Sequence, residues 1–554
     1  MPSSESSSSV YPSLAQEQYA SLFRKRPQMA AGYLRRAFTE RDPYFPNVLG
    51  SIGILMTGTV SERVSIFVNK VIETLMALMS DKLVYQAREL HSTPGFLCFE
   101  FSAMIMRYLA KMIESLVTTL QSRHTDGPLL KASARILKLA PKLCRTLWEH
   151  RIYLRYDREI LEHRRSGRDH DPGTSFAEAS GLCALTLCLL HEQLRFVVIC
   201  VGSIGKSQKS TVFILRFQPP PPDSFHPHVL LFVWLYGPKH DTAFQRGVVS
   251  ILASLIREAG MHRMDSFVKD TISKTDATKP HPDDLSKRLI ASLRSPEELD
   301  ENLRAYFVII LQFSSVRGTF TRVRSSRRGW GPGLAESMCI ACQRQLCSGD
   351  IDNDDCIVEL CIRSMLFLLP TSHPPGVLTL MAMTTTKAVY TLVGRGLVVA
   401  IKDDDEDLHD RCARLLHWHT SWGDRADEIA TVLKLKLSQF SLAPWSNILA
   451  ELRTIAEKTP NKTASLAIRD WEAFGASIGF NEATAEVALK RRRDYLSASS
   501  KVPGCCWFGC VCTSFKRHHP LRMWIGMKDT ETSALEQLSF ISLDPRAVSK
   551  SDEE

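Results

Sequence analysis

Apolar residues recur at intervals of three and four in segment after segment of this 554-residue chain. That spacing places them on one face of an α-helix and fits little else. Val64, Phe67, Val68, Val71, Ile72, Leu75, Met76 and Met79 form one such stripe. Leu129, Ala132, Ile136, Leu137, Ala140, Leu143, Cys144 and Leu147 form a second, which Pro141 is expected to bend. Two more are Val248, Ile251, Leu252, Leu255 and Ile256, then Leu303, Tyr306, Phe307, Ile310 and Leu311. Between stripes lie short breaks rich in Gly, Pro, Asp and Ser, at His124–Pro128, Arg164–Thr174 and Thr275–Asp284.

Many helices with short connections predict an all-α fold, an irregular helical array of the HEAT or armadillo type without a clean repeat signature. One exception is a pair of β-favouring runs, Thr211–Phe217 and Val229–Tyr236, around Pro219–Pro222. They fit a hairpin, with a helix as the alternative for the second run. The expected organisation is a disordered Ser-rich stretch at 1–14, a helical array at 15–500, a finger-like segment at 501–527 and a disordered tail at 528–554. Sub-boundaries within the array are expected near 164–174 and 203–228.

This length suggests about two to four domains or one long repeat array. Lys+Arg at 69 against Asp+Glu at 60 give a net charge of +9, too small over this length to mark a nucleic-acid binder by bulk charge alone. The start, Met1–Ser13, has no apolar core of the kind a secretory signal carries. Leu182–Val201 is interrupted by His191, Glu192 and Arg195, and Gly376–Ile401 by Lys387 and Arg395. Neither offers about 20 uninterrupted apolar residues, so no membrane partner is expected. The fifteen cysteines mostly sit inside apolar helical patterns. They read as reduced thiols in a cytoplasmic or nuclear protein.

Several short motifs resemble catalytic or binding signatures and lack their context. Cys200–Ser207 reads C-V-G-S-I-G-K-S, a phosphate-binding loop with its first glycine replaced, and is expected to be a plain connection. Gly475–Gly479 matches the G-x-S-x-G nucleophile elbow, but Ala464–Phe474 before it is helical in pattern where a buried strand is required. A helix C-terminus followed by a glycine turn is expected there. Cys339 and Cys342, with Cys347, Cys356 and Cys361 nearby, have zinc-ligand chemistry but lie on helical faces, which favours a core role. Arg317–Arg328 and Lys490–Arg493 are the basic clusters, and Asp403–Asp407 is an acidic run expected to be solvated.

The C-terminal segment has the most specific content. Cys505, Cys506, Cys510 and Cys512 fall within eight residues, around Trp507 and Gly509, with His518 and His519 close behind. This is metal-ligand density outside any helical pattern. Cys505, Trp507, Gly509, Cys510 and Cys512, followed by a stretch with His518, His519 and Arg522, resemble the opening of the C-terminal MYND-type zinc finger of fungal proteins with long helical bodies. Phe474-Gly475, Ile478–Phe480 and the basic Ala485–Leu496 segment resemble the lead into such fingers. The family pattern continues into a C-x-x-C pair, where this chain has Trp524–Met527 and no later cysteine. A shifted reading frame or retained intron near Trp524, or decay of the finger, would each produce that break. The resemblance implies a peptide-binding module, here reduced to at most one zinc on Cys505, Cys510, Cys512 and His518 or His519.

The function expected from these observations is a non-enzymatic interaction scaffold with a protein or peptide partner. An enzyme assembled from dispersed residues is the alternative, and nucleic-acid binding through the two basic clusters is a third.

Overall fold

The computed structural model describes residues 15–40, 42, 44–81, 85, 94–122, 127–156, 176–204, 224–239, 242–259, 261–273, 275–298, 301–315, 332–348, 351–368, 388–423, 445–480 and 483. Among them every regular element is a helix, so the chain is all-α as its periodicity predicts. In order these are α1 (Gln16–Lys25), α2 (Gln28–Thr39), α3 (Phe45–Thr57), α4 (Val60–Val68), α5 (Val71–Met79), α6 (Pro94–Ser122), α7 (Gly127–Glu149), α8 (Phe176–Ile204), α9 (His226–Tyr236), α10 (Thr242–Ala259) and α11 (Met261–Thr271). There follow α12 (Pro282–Arg294), α13 (Glu301–Ser315), α14 (Pro332–Ser348), α15 (Ile351–Leu368), α16 (Ala388–Asp403), α17 (Glu406–Gly423), α18 (445–458) and α19 (Lys462–Ser477). A short 3-10 turn, Arg151–Leu154, follows α7.

The chain forms two compact units. The first comprises Met1–Leu293, Asp300–Ala335 and Arg363–Thr379, and the second Arg294–Leu299, Glu336–Ile362 and Leu380–Glu554. Both expected sub-boundaries fall within the sequence of the first unit; 164–174 and most of 203–228 lie outside the described residues.

In the first unit α6 and α8 pack most extensively on each other. At 29 residues each, they run about 43 Å. Small residues on α8 (Ala177, Ala179, Ser180, Gly181 and Ala184) let its neighbours close in. A Cβ at Gly181 would sit 2.6 Å from both Phe244 and Val233, so α9 and α10 approach its bare backbone. The stripe of α7 is buried at Leu129, Ala132, Ile136, Ala140, Leu143, Cys144 and Leu147, and the helix continues through Pro141. From Leu303 to Phe313 every residue of α13 except Arg304 and Gln312 is buried, including Ala305, Val308 and Ile309 off the expected stripe.

Two expectations change. The stripe from Val64 to Met79 is not one helix but two, α4 and α5, separated at Asn69-Lys70. The side-chain amide of Asn69 donates to the Ser65 carbonyl at 2.7 Å, closing α4, and Lys70 takes a left-handed φ of 62°. Thr59 and Glu62 start α4 with a reciprocal capping box. Of the two readings of Val229–Tyr236 the helix holds and the hairpin strand does not: the run lies within α9, where burial on nearly every side conceals any helical period; Thr211–Phe217 lies outside the described residues.

In the second unit α16, α17 and α19 pack together. The acidic run Asp403–Asp407 makes the corner between α16 and α17, with Asp404 at φ 52° and the Asp405 carboxylate accepting from the Leu408 N–H at 2.9 Å. It is mainly exposed, as expected, yet it is also clasped by the N-terminus of α19. Thr463 Oγ1 donates to Asp404 at 2.9 Å, Lys462 pairs with Glu406 at 3.2 Å, and Asn461 donates to the Ile401 carbonyl at 3.0 Å. A helix N-terminus carries partial positive charge, which suits it to an acidic corner.

Candidate functional site

Three buried polar side chains, Ser224, His226 and His228, lie where α9 begins. Phe225 precedes the helix at φ 58°, a left-handed conformation that costs a bulky residue energy and persists only under firm packing. Its carbonyl accepts from the Val229 N–H at 3.0 Å, which seats the helix start. His226 and His228 follow, both buried. The His228 ring meets Phe267 at 4.8 Å, Phe225 at 4.9 Å and Trp148 at 5.1 Å. Neither ring nitrogen of His228, nor Nδ1 of His226, has a hydrogen-bond partner among the described residues.

Burial holds both imidazoles neutral. His226 is pushed down to about 4 by desolvation, then by His191 nearby; His228 is pushed down to about 4 by desolvation, then by Lys279. Three arginines cover the rings around this centre. Arg145 lies 5.3 Å from the Phe225 centroid, Arg151 4.7 Å from Trp148, and Arg155 4.8 Å from Tyr236. Arg151 also donates to the carbonyl and hydroxyl of Thr278, and Tyr236 donates to Asp284 at 2.6 Å. The arrangement is a polar-edged aromatic layer with its histidines sealed in.

In the second unit His409 on α17 is buried, with Nε2 3.2 Å from an Asp470 carboxylate oxygen on α19. The other Asp470 oxygen accepts from Arg469 at 3.0 and 3.1 Å. The geometry is that of a close charge contact and not of a hydrogen bond, so Asp470 does not orient the ring as the partner of a general base would. No local signal marks this pair in the sequence, because its members meet only when α17 packs on α19.

The G-x-S-x-G match has a structural role. Gly475 and Ser477 close α19, and Gly479 turns the chain at φ 87°, as the helical pattern predicts. The Ser477 hydroxyl is occupied, donating to the Phe474 carbonyl at 2.7 Å. Gly475 faces an indole: a Cβ there would lie 2.3 Å from Trp445. Trp445 and Trp471 each donate their indole N–H to the other's carbonyl at 3.0 Å. Of the phosphate-loop match, Cys200–Ile204 continues α8 instead of forming a connection, and the rest lies outside the described residues.

Cys339, Cys342 and Cys361 are buried free thiols, in agreement with a core role, as are Cys144, Cys183, Cys188 and Cys412. Burial pushes the Cys361 thiol up, with Cys342 hydrogen-bonded to it, and raises Cys188 to about 12, which disfavours the thiolate form that a nucleophile needs. Among the described residues no three His, Cys, Asp or Glu side chains converge to hold a metal. Cys505, Cys510, Cys512, His518 and His519 lie outside them, as do Arg317–Arg328 and Lys490–Arg493. No helix of the described residues is long and apolar enough to cross a membrane.

No family model and no curated protein matches the chain. Among solved structures, a "circular tandem repeat protein with novel repeat topology and enhanced subunit contact surfaces" is 14% identical, matched over 87% of this chain and 100% of its own, at a TM-score of 0.23. That likeness is too loose to bear on function.

Proposed function

We propose that this chain is a non-enzymatic scaffold that binds protein or peptide partners on the exposed faces of its helices. The supporting observation is how its reactive groups are used. The buried cysteines and His226 and His228 are enclosed in packing, with burial holding the thiols of Cys144, Cys183, Cys188, Cys361 and Cys412 protonated and both imidazoles neutral, while charged side chains occupy the outward helix faces. A helical array that spends its reactive side chains on its core leaves its surface for recognition. In this reading the Cys505–His519 segment is a reduced MYND-like module that takes at most one zinc and adds a peptide contact, in a cytoplasmic or nuclear protein.

The test is recovery of the tagged full chain from its own cells under gentle conditions, with and without nuclease. Co-eluting proteins at fixed stoichiometry that survive nuclease are expected. A chain recovered with no other protein, or one whose partners vanish on nuclease treatment, would overturn the scaffold reading.

A further inference from the structure

On α7, Lys131, Arg135, Lys138, Lys142 and Arg145 follow one another at intervals of four, three, four and three. At 100° per residue they share a sector about 80° wide, and at 1.5 Å per residue they span about 21 Å. Arg135 is half-buried and the other four are exposed. Arg135 is pinned by Glu73 at 2.8 Å and by the Val68 carbonyl at 3.3 Å, and Arg145 rests on the Phe225 ring. Among the described residues no carboxylate pairs with Lys131, Lys138 or Lys142.

Like charges at this spacing repel along a helix. The opposite face, with Leu129, Ile136 and Leu143 fully buried, is what holds α7 in place against that repulsion. Alongside the basic row, one residue earlier at each step, Leu130, Ala134, Leu137 and Pro141 are half-buried in the same four-and-three pattern. Two parallel rows therefore share one helix face, one cationic and one partly apolar.

We propose that this face docks an acidic amphipathic helix of a partner protein, an inference that rests on the scaffold reading. Such a helix carries Glu or Asp at the same four-and-three spacing and leucines beside them, so it answers both rows in register. A nucleic acid would satisfy the cations but has no use for the aliphatic row, and the Phe225 ring beside the stripe is already covered by Arg145. An anionic membrane would meet an apolar row already half-sunk in the protein, in a helix whose opposite face is committed to the core.

The test uses the full chain and a fluorescein-labelled helical peptide with Glu at four-and-three spacing beside a row of Leu, read by anisotropy. Lys131→Glu/Lys138→Glu/Lys142→Glu should weaken binding at least about tenfold, since exposed pairs contribute modestly but additively. A Lys-for-Glu peptide should bind that variant and not the parent. Lys111→Glu/Lys269→Glu/Lys287→Glu changes net charge equally at exposed sites on other helices and should leave affinity within about twofold. Circular dichroism establishes that each variant is folded, and Lys→Gln at the same three positions supplies a milder arm if the reversal is not tolerated. Equal affinity of parent and stripe variant, equal loss in the dispersed variant, or tighter binding through the stripe of single-stranded DNA or phosphatidylserine vesicles would each overturn the proposal. If the peptide ignores the stripe while co-purifying proteins persist, only this inference falls; if both fail, so does the scaffold reading.

Discussion

At the scale of single residues, the buried histidines of α9 link structure to pH. His226 and His228 are held at about 4, against an ordinary value of 6.5, mainly by desolvation. Between these values the unfolded chain takes up protons that the folded chain refuses, so stability present above about pH 6.5 is lost as pH falls toward 4. At about 1.4 kcal/mol per pH unit, each histidine should cost on the order of 3 kcal/mol over that window. Urea midpoints should therefore fall between pH 7.5 and 5, and His228→Phe, which keeps a ring in place, should flatten the slope. An unchanged slope would mean that His228 titrates as it does in water. Gly475 shows the same dependence on surroundings. Alanine favours a helix over glycine by about 1 kcal/mol, but its Cβ would meet an indole fixed by two reciprocal hydrogen bonds. Overpacking against a rigid ring should win, and Gly475→Ala should destabilise by about 1–3 kcal/mol in urea titration. Ser477 should take no label from a fluorophosphonate probe; labelling abolished specifically by Ser477→Ala would prove it a nucleophile.

At the scale of elements, the break between α4 and α5 comes from a conflict between two signals. The apolar spacing runs unbroken from Val64 to Met79, yet Asn69 turns its side chain onto the backbone and Lys70 adopts the left-handed region. Lys70 Cβ bears a steric cost there of about 1–2 kcal/mol, which glycine escapes. Lys70→Gly should therefore stabilise the protein by about 0.5–1 kcal/mol once glycine's greater unfolded-state freedom is deducted. A loss of stability would show that the Lys70 side chain has a role that the break does not require. In α9 the failure is of another kind: a helix buried on all sides has no polar face, so its sequence shows β-branched and aromatic residues without a helical period.

At the scale of the molecule, the two units are interleaved in sequence: the chain passes into and out of the second unit at Arg294–Leu299 and Glu336–Ile362 before completing it from Leu380. Neither unit is a single continuous stretch, so no single cut in the chain separates one from the other. The C-terminal segment is a separate matter, because structural zinc supplies folding energy to the small module that binds it. Metal analysis should find at most one equivalent of zinc, lost on deleting residues 501–554, with the helical circular dichroism of the body kept. Two equivalents lost with that segment would mean a complete finger, and a chelator that unfolded the whole chain would tie the body to the metal.

Periodicity, caps and breakers act over a few residues, and so the sequence alone determined the helical class, the stripe of α7, the glycine turn at Gly479 after α19 and the core role of Cys339, Cys342 and Cys361. The tertiary structure alone decided which helices meet. It brought His409 against Asp470, locked Trp445 to Trp471, and sealed His228 between Trp148 and Phe267. Each of these joins residues from separate helices, and burial, which sets their charge and reactivity, is a property of the packed neighbours and not of the residue.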